Sequence, residues 1–144
     1  KGNAFLVGAE LNTQAAKSIN SHFSAVQCDA LKLPFPDDSF DFVISSLFLH
    51  HLNDEQAVTL INEMNRVARK QFFIIDLHRH AAAYYLYRIF GRLLLQRFTL
   101  EDGSLSILRS FRPAELIQLA NKAGMHDAVV KRRAAFRLVL SGSK

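Results

Sequence analysis

Asp41-Phe42-Val43-Ile44-Ser45-Ser46 and Gln71-Phe72-Phe73-Ile74-Ile75-Asp76-Leu77 are the segments on which the fold turns. The second holds an unbroken apolar run from Phe72 to Ile75. Strands read that way when helices cover both faces of their sheet. Between the two segments Ala57, Leu60, Ile61, Met64 and Val67 recur at helical spacing, one stripe of a helix that Asp54 is expected to cap. Strand, helix and strand in that order make a parallel pair joined by a right-handed crossover.

Upstream, Ala4 to Ala9 reads as a short strand. Asn12 is placed to cap a helix whose face carries Ala15, Ala16, Ile19 and Phe23, and Ala25 to Cys28 forms a further strand. Downstream, residues 80–98 read as one long helix crowded with Tyr84, Tyr85, Tyr87, Phe90 and Phe98. Pro113 suits the first turn of another helix that runs to Ala123, with Gly124 just past its end. Two last apolar runs, Asp127 to Val130 and Phe136 to Leu140, are expected to pair antiparallel across Lys131-Arg132-Arg133. The expectation is an α/β chain, Rossmann-like and doubly wound, its mostly parallel sheet closed by an antiparallel C-terminal pair. Residues 1–144 form a single domain with a helical insertion at about 79–110.

Composition agrees. A chain of 144 residues, 49% hydrophobic and 22% charged, has the profile of one globular domain. Its apolar content excludes disorder, and 6 Gly with 3 Pro exclude collagen-like or linker sequence. Cys28 stands alone, so no internal disulfide framework exists, and no Cys/His cluster has zinc spacing; no metal is expected. No secretory signal pattern opens the chain, which favours a cytoplasmic location. Charge is split: residues 1–65 carry three Lys against eight acids, whereas residues 66–144 carry fifteen Lys/Arg against five. A basic half can attract nucleic acid, anionic lipid or an acidic substrate, although solvated surface is the commoner reason, and nucleic acid is disfavoured here.

In open α/β sheets ligands bind beyond the carboxyl ends of the strands. Glu10 follows the first strand and Asp29 the second. Ser45 and Ser46 end the third, ahead of Leu49-His50-His51-Leu52, and Asp76 with His78-Arg79-His80 ends the fourth. A carboxylate after such a strand can accept both hydrogens of a ribose diol, and an ionised acid can accept from an adenine amino group. The same acids also suit a plain solvated strand end.

The stretch Cys28-Asp29-Ala30-Leu31-Lys32-Leu33-Pro34-Phe35-Pro36-Asp37-Asp38-Ser39-Phe40-Asp41-Phe42-Val43, followed by Leu49-His50-His51-Leu52, closely resembles class I S-adenosylmethionine-dependent methyltransferases. The likeness is to the small-molecule branch with its D-A-x-x-L-P-F-P-D-x-S-F-D-x-V segment, and Glu63 to Arg69 is similar to that branch's E-x-x-R-V-L-[RK] helix end. It covers roughly residues 5–77 and extends loosely over Phe-Arg-Pro-Ala-Glu-Leu and the closing strands. The resemblance implies S-adenosylmethionine as cofactor. Glu10 would hold its ribose hydroxyls, Asp29 would face the adenine amino group, Ala30 would offer a backbone N–H near the ring, and Ser45 would line the methionine end. Leu33 and Phe35 would pack the loop over the adenine, stiffened by Pro34 and Pro36.

One part of the family pattern is missing. Only nine residues precede Glu10, and they hold no G-x-G turn. The strand that carries that turn lies mid-sheet, between the strands starting near Ala4 and Asp41. We therefore expect about 40–60 further residues upstream, the size of a βα unit, and poor cofactor binding and no activity by this stretch alone.

Methyl transfer from a sulfonium chiefly needs alignment of donor and acceptor, worth about 7–11 kcal/mol. A base is needed only if the acceptor must lose a proton. His50 and His51 are the candidates, since imidazole titrates near neutrality, with capping or packing of the turn as the alternative. His78 and His80 stand at the same rim. Within Tyr84 to Phe98, Arg88, Arg92 and Gln96 share one face and Leu86, Ile89, Phe90, Leu93 and Leu94 another. The arginines interrupt it too often to span a bilayer. In the family this region forms the substrate lid, which suits a bulky apolar or aromatic acceptor; an interfacial helix or a homodimer through the 80–98 helix are the other options. A short-chain dehydrogenase reading fails because Tyr84, Tyr85 and Tyr87 are followed by no lysine until Lys122. The remaining alternative is a degenerate methyltransferase-like module contacting RNA or anionic lipid through its basic half.

Overall fold

A computed structural model describes residues 5–20, 24–94 and 96–144. β1 (Val7–Glu10), α1 (Thr13–Asn20) and β2 (Ser24–Gln27) come first, and β1 and β2 pair in parallel. Asn12 caps α1 as expected, its Oδ1 accepting from Gln14 N at 2.9 Å and Ala15 N at 3.1 Å. The predicted strand reached back to Ala4 and the helix face to Phe23; both of those ends lie outside the described residues.

The rest of the chain builds a second sheet. β3 (Phe40–Ser46) leads through a single 3-10 turn (Leu49–His51) and α2 (Asp54–Val67) to β4 (Ala68–Leu77), parallel to β3. α3 (Ala81–Leu94), α4 (Arg97–Arg109) and α5 (Pro113–Lys122) follow, then β5 (Val129–Arg133) and β6 (Arg137–Ser143). The strand order is β3-β4-β6-β5, with β6 antiparallel to both neighbours. Among the described residues β1 pairs only with β2, and β3 only with β4. The break falls where the family pattern led us to expect a middle strand. Phe42 and Ile44 of β3 are correspondingly exposed.

All five stripe residues of α2 are buried, and four of them, Ala57, Leu60, Ile61 and Met64, join Leu116, Leu119 and Ala120 of α5 in one core with Phe72, Ile74, Leu138 and Leu140 of the sheet. Burying such side chains contributes about 1.5–3 kcal/mol each. Gly142 is required opposite Phe72, whose ring would lie 2.4 Å from any added Cβ.

Several boundaries differ from expectation. The cap of α2 is Asn53, not Asp54. Asn53 Oδ1 accepts from Gln56 N at 2.9 Å while Gln56 Oε1 accepts from Asn53 N at 3.1 Å, a reciprocal box that leaves Asp54 as the first helical residue. The single helix expected over 80–98 ends at Leu94, and a second starts at Arg97 and packs back on the first. Tyr87 seats across the pair: its hydroxyl donates to Thr99 O at 3.0 Å, over Gly103, where a side chain would collide with the ring. Lys131, Arg132 and Arg133 belong to β5 itself, because the turn lies later, at Ala134 to Phe136.

Candidate functional site

Parallel pairing of β1 and β2 brings their carboxyl ends together. Glu10 sits opposite Gln27, and Cys28 N donates to Glu10 O at 3.0 Å, so Asp29 leaves the sheet beside Glu10. Glu10 is half-buried, and its Oε1 accepts from Asn12 N at 2.8 Å. Asp29 is exposed. Its Oδ1 accepts from Leu31 N at 2.8 Å, and Lys32 N closes the turn on Asp29 O at 3.0 Å. Each carboxylate therefore has one oxygen fixed by backbone, which aims the side chain and leaves the other oxygen to accept from a ligand. Ala30 is half-buried and packs against the main core, tying this rim to the larger sheet. The Cys28 thiol is pushed up by burial and then by the Asp29 charge, which favours its protonated form.

Ser45 is half-buried in the last turn of pairing of β3 with β4, opposite Ile74. Just beyond, Leu47 takes φ 54°, and its N–H donates to Ile75 O at 2.8 Å. A side chain in this left-handed region is strained by about 1 kcal/mol or more. The kink swings the chain out of the strand and into the turn carrying His50, with Leu49 fully buried as its anchor.

His50 is buried, and its Nδ1 lies 2.7 Å from Asp76 Oδ1. Asp76, with no exposure at all, also accepts from His50 N at 3.1 Å and from Leu77 N at 2.6 Å. A buried carboxylate is tolerated only when its oxygens are filled in this way. Donation from Nδ1–H to Asp76 leaves Nε2 as the lone-pair nitrogen, the tautomer of a proton acceptor. His51 is exposed, its ring tilted by 41° against that of His50 with the centroids 4.1 Å apart. The two candidates are thus unequal: His50 is oriented by a carboxylate, and His51 only by its neighbour.

His78 and His80, at the same rim, make backbone contacts. His80 accepts from Ala82 N through Nδ1 at 3.1 Å, capping α3. His78 is buried, bridged to Phe111, its N–H donating to Phe136 O at 2.9 Å. Burial, then the neighbouring His80 and Arg132, holds its imidazole below the ordinary value.

The loop over the expected adenine site is clamped from α2. Arg66 forks onto Glu63 with two 2.8 Å bonds, and its remaining donors reach Phe35 O at 2.7 Å, Asp37 Oδ1 at 2.9 Å and Leu33 O at 3.0 Å. Glu63 Oε2 closes the circuit by accepting from Leu33 N at 2.8 Å. The guanidinium beside it lowers the Glu63 pKa, and Glu63 and Asp37 raise that of Arg66. Only arginine has enough planar donors for this job. The paired motifs of loop and helix are therefore one mechanical device, with Phe35 also edge-on to Phe40 at 4.9 Å between ring centres. The sequence placed Asp76 at a strand end and marked the Glu63 to Arg69 motif, but it gave neither the Asp76 partner nor the clamp. The one signal for Asp76 was a carboxylate ending an otherwise apolar strand.

Residues 2–75 match the family model described as "Methyltransferase domain". A ubiquinone/menaquinone biosynthesis C-methyltransferase of Xanthomonas oryzae pv. oryzae is 37% identical over 67 residues, which is 46% of this chain and 26% of that protein. Ajmaline N-methyltransferase of Rauvolfia serpentina is 42% identical over 67 residues, 46% and 22% of the two chains. The chain thus spans about a quarter of the length of these relatives. Among solved structures, a SAM-dependent methyltransferase from Aquifex aeolicus superposes with TM-score 0.65 at 14% identity, covering 96% of this chain and 68% of that one. Human N-acetylserotonin methyltransferase in complex with SAM gives 0.65 at 14% identity, covering 98% and 41%. These two likenesses support the fold.

Proposed function

The chain belongs to the methyltransferase-domain family, and from that premise we propose that it forms part of an enzyme that methylates a small apolar or aromatic acceptor. S-adenosylmethionine is the family's methyl donor; when bound it supplies a methyl group already activated on a sulfonium. The donor set at the β1–β2 rim suits an adenosine. Glu10 would take the ribose hydroxyls and Asp29 the adenine amino group, each through its oxygen not engaged by backbone, with Ala30 N–H and Ser45 completing the contacts. The Arg66–Glu63 clamp holds the loop that would roof the ring.

The observation that carries the catalytic reading is the buried His50–Asp76 pair. Asp76 fixes the imidazole orientation and leaves Nε2 able to take a proton from an acidic acceptor, such as a phenol or an activated carbon. The relatives' printed names include carbon and nitrogen methylation, which fits a small acceptor and leaves the accepting atom open.

Calorimetric titration of S-adenosylhomocysteine into the full-length protein tests the donor site. Asp29→Ala is expected to weaken binding about tenfold or more, as loss of a bond to a charged acceptor does. Unchanged binding in that variant would refute the assignment, and no binding by the parent would favour the degenerate module instead. His50→Gln should lower kcat about 10²–10⁴-fold for an acceptor that must lose a proton, with affinity for S-adenosylhomocysteine preserved.

A further inference from the structure

We propose that the α3–α4 hairpin docks the protein onto an anionic lipid bilayer. Tyr85, Leu86, Ile89 and Phe90 project from one side of α3 and remain exposed, Tyr85 by 63% and Ile89 by 58%. Successive residues of an α-helix turn by about 100°, so these four fill one continuous sector of roughly 140°. Arg92 and Arg88 come next around the same helix, both exposed, along the Tyr85 edge of that sector. Across the groove α4 adds Arg97 to this edge, with Leu100, Leu105 and Leu108, in an open cleft of about 690 Å³. Phe98 stands 81% exposed at the start of α4.

The charge of α3 is one-sided, and the hairpin's two acids, Glu101 and Asp102, both lie on α4. No carboxylate occurs between Asp76 and Glu101, while Arg79, Arg88, Arg92 and Arg97 do. Glu101 engages Arg97 at 2.9 Å, and Arg88 rests on the Tyr84 hydroxyl at 2.7 Å, which holds its guanidinium at the rim without neutralising it. An apolar, aromatic-bearing sector flanked by arginines is the form of a helix that lies in a headgroup layer. The rings enter the acyl boundary and the guanidinium groups meet phosphates. α3 has only 14 residues, and no described helix is long and apolar enough to cross a membrane, so the mode is lying on the surface. A soluble protein partner would demand matching carboxylates around an apolar socket; a bilayer rich in anionic lipid offers both at once. Docking does not depend on methyl transfer, and its failure would leave the donor-site assignment untouched.

Co-sedimentation with phosphatidylcholine vesicles, with and without 30 mol% phosphatidylglycerol (about that share), tests this with the full-length protein. Binding is expected only to the anionic vesicles and should weaken with salt. Arg88→Gln and Arg92→Gln should each reduce partitioning about fivefold. Ile89→Glu with Phe90→Glu should abolish it, with circular dichroism and the unfolding midpoint unchanged because both side chains are exposed. Equal binding to neutral vesicles, no vesicle binding, or wild-type partitioning by the variants would overturn the proposal. So would a concentration-dependent dimer, seen without lipid and lost in Ile89→Glu/Phe90→Glu, which would assign this face to a second copy of the chain. RNA capture lost in the arginine variants, without vesicle binding, would overturn it as well.

Discussion

β1–α1–β2 and the β3-to-β6 layer are both made of strands and helices in alternation, but they are not equally self-sufficient. In the first unit Ala16 is the one buried apolar residue among those described, whereas the second holds the whole central cluster from Leu49 to Leu140. The proposed adenosine acids ride on the thin unit, and the His50–Asp76 pair is set in the thick one. A site assembled this way should separate two properties: core changes in the layer act on stability, and changes at Glu10 or Asp29 act on ligand binding.

The largest test of that contrast is truncation in the two places. Phe72→Ala leaves a cavity at the centre of the layer and should cost about 3–5 kcal/mol in urea unfolding. Val26→Ala, at a half-buried position in β2, should cost well under half as much. Equal losses would mean that the two pieces share one core.

Arg66→Ala comes next. It removes five bonds to Glu63, Leu33, Phe35 and Asp37 and leaves a half-buried carboxylate without its partner. We expect a lower urea unfolding midpoint and faster proteolysis within residues 31–38. Arg66→Lys should recover less than half of that shift, because an ammonium cannot fork onto Glu63 while bonding two carbonyls. Full recovery by lysine would reduce the clamp to simple charge pairing.

A smaller effect follows from His78. Its imidazole is held below the ordinary value by burial, then by His80 and Arg132, so the unfolded chain binds the extra proton first on acidification. Stability is therefore complete above about pH 6.5 and falls as pH drops through that value, levelling off once folded His78 protonates. His78→Gln should flatten this part of the profile. An unchanged slope would place the titration elsewhere.

Much of this architecture was legible because period and burial coincide. The five apolar positions of α2, the run in β4 and the parallel β3–β4 crossover all follow from spacing alone. What was illegible had no local signal. The turn joining β5 to β6 uses Ala135 at φ 56° and Phe136 at φ 52°, where glycine or asparagine would have marked it, and the basic triplet before it belongs to an exposed edge strand, where charge is welcome. The break between α3 and α4 carries neither proline nor a capping side chain at Gln96. At the site, Glu10 and Asp29 could be placed by topology, because strand ends are a topological property. Choosing His50 over His51 required Asp76, 26 positions away, which only tertiary packing supplies.

The two units also contain the same small device, which allows a matched comparison at the low end of the scale. Asn12 caps α1 and Asn53 caps α2, each through Oδ1 to backbone N–H groups at 2.9 Å. Loss of such a cap costs about 1 kcal/mol wherever it occurs. In α2 the helix is part of the cooperative core, so Asn53→Ala should shift the global unfolding midpoint by that amount. In α1 few buried contacts tie the helix to the layer, and local opening precedes global unfolding. Asn12→Ala should then accelerate hydrogen exchange across residues 13–20 and leave the global midpoint where it is. A midpoint that moves equally in both variants would show the thin unit folding as one with the layer, and the separation of binding from stability would fail with it.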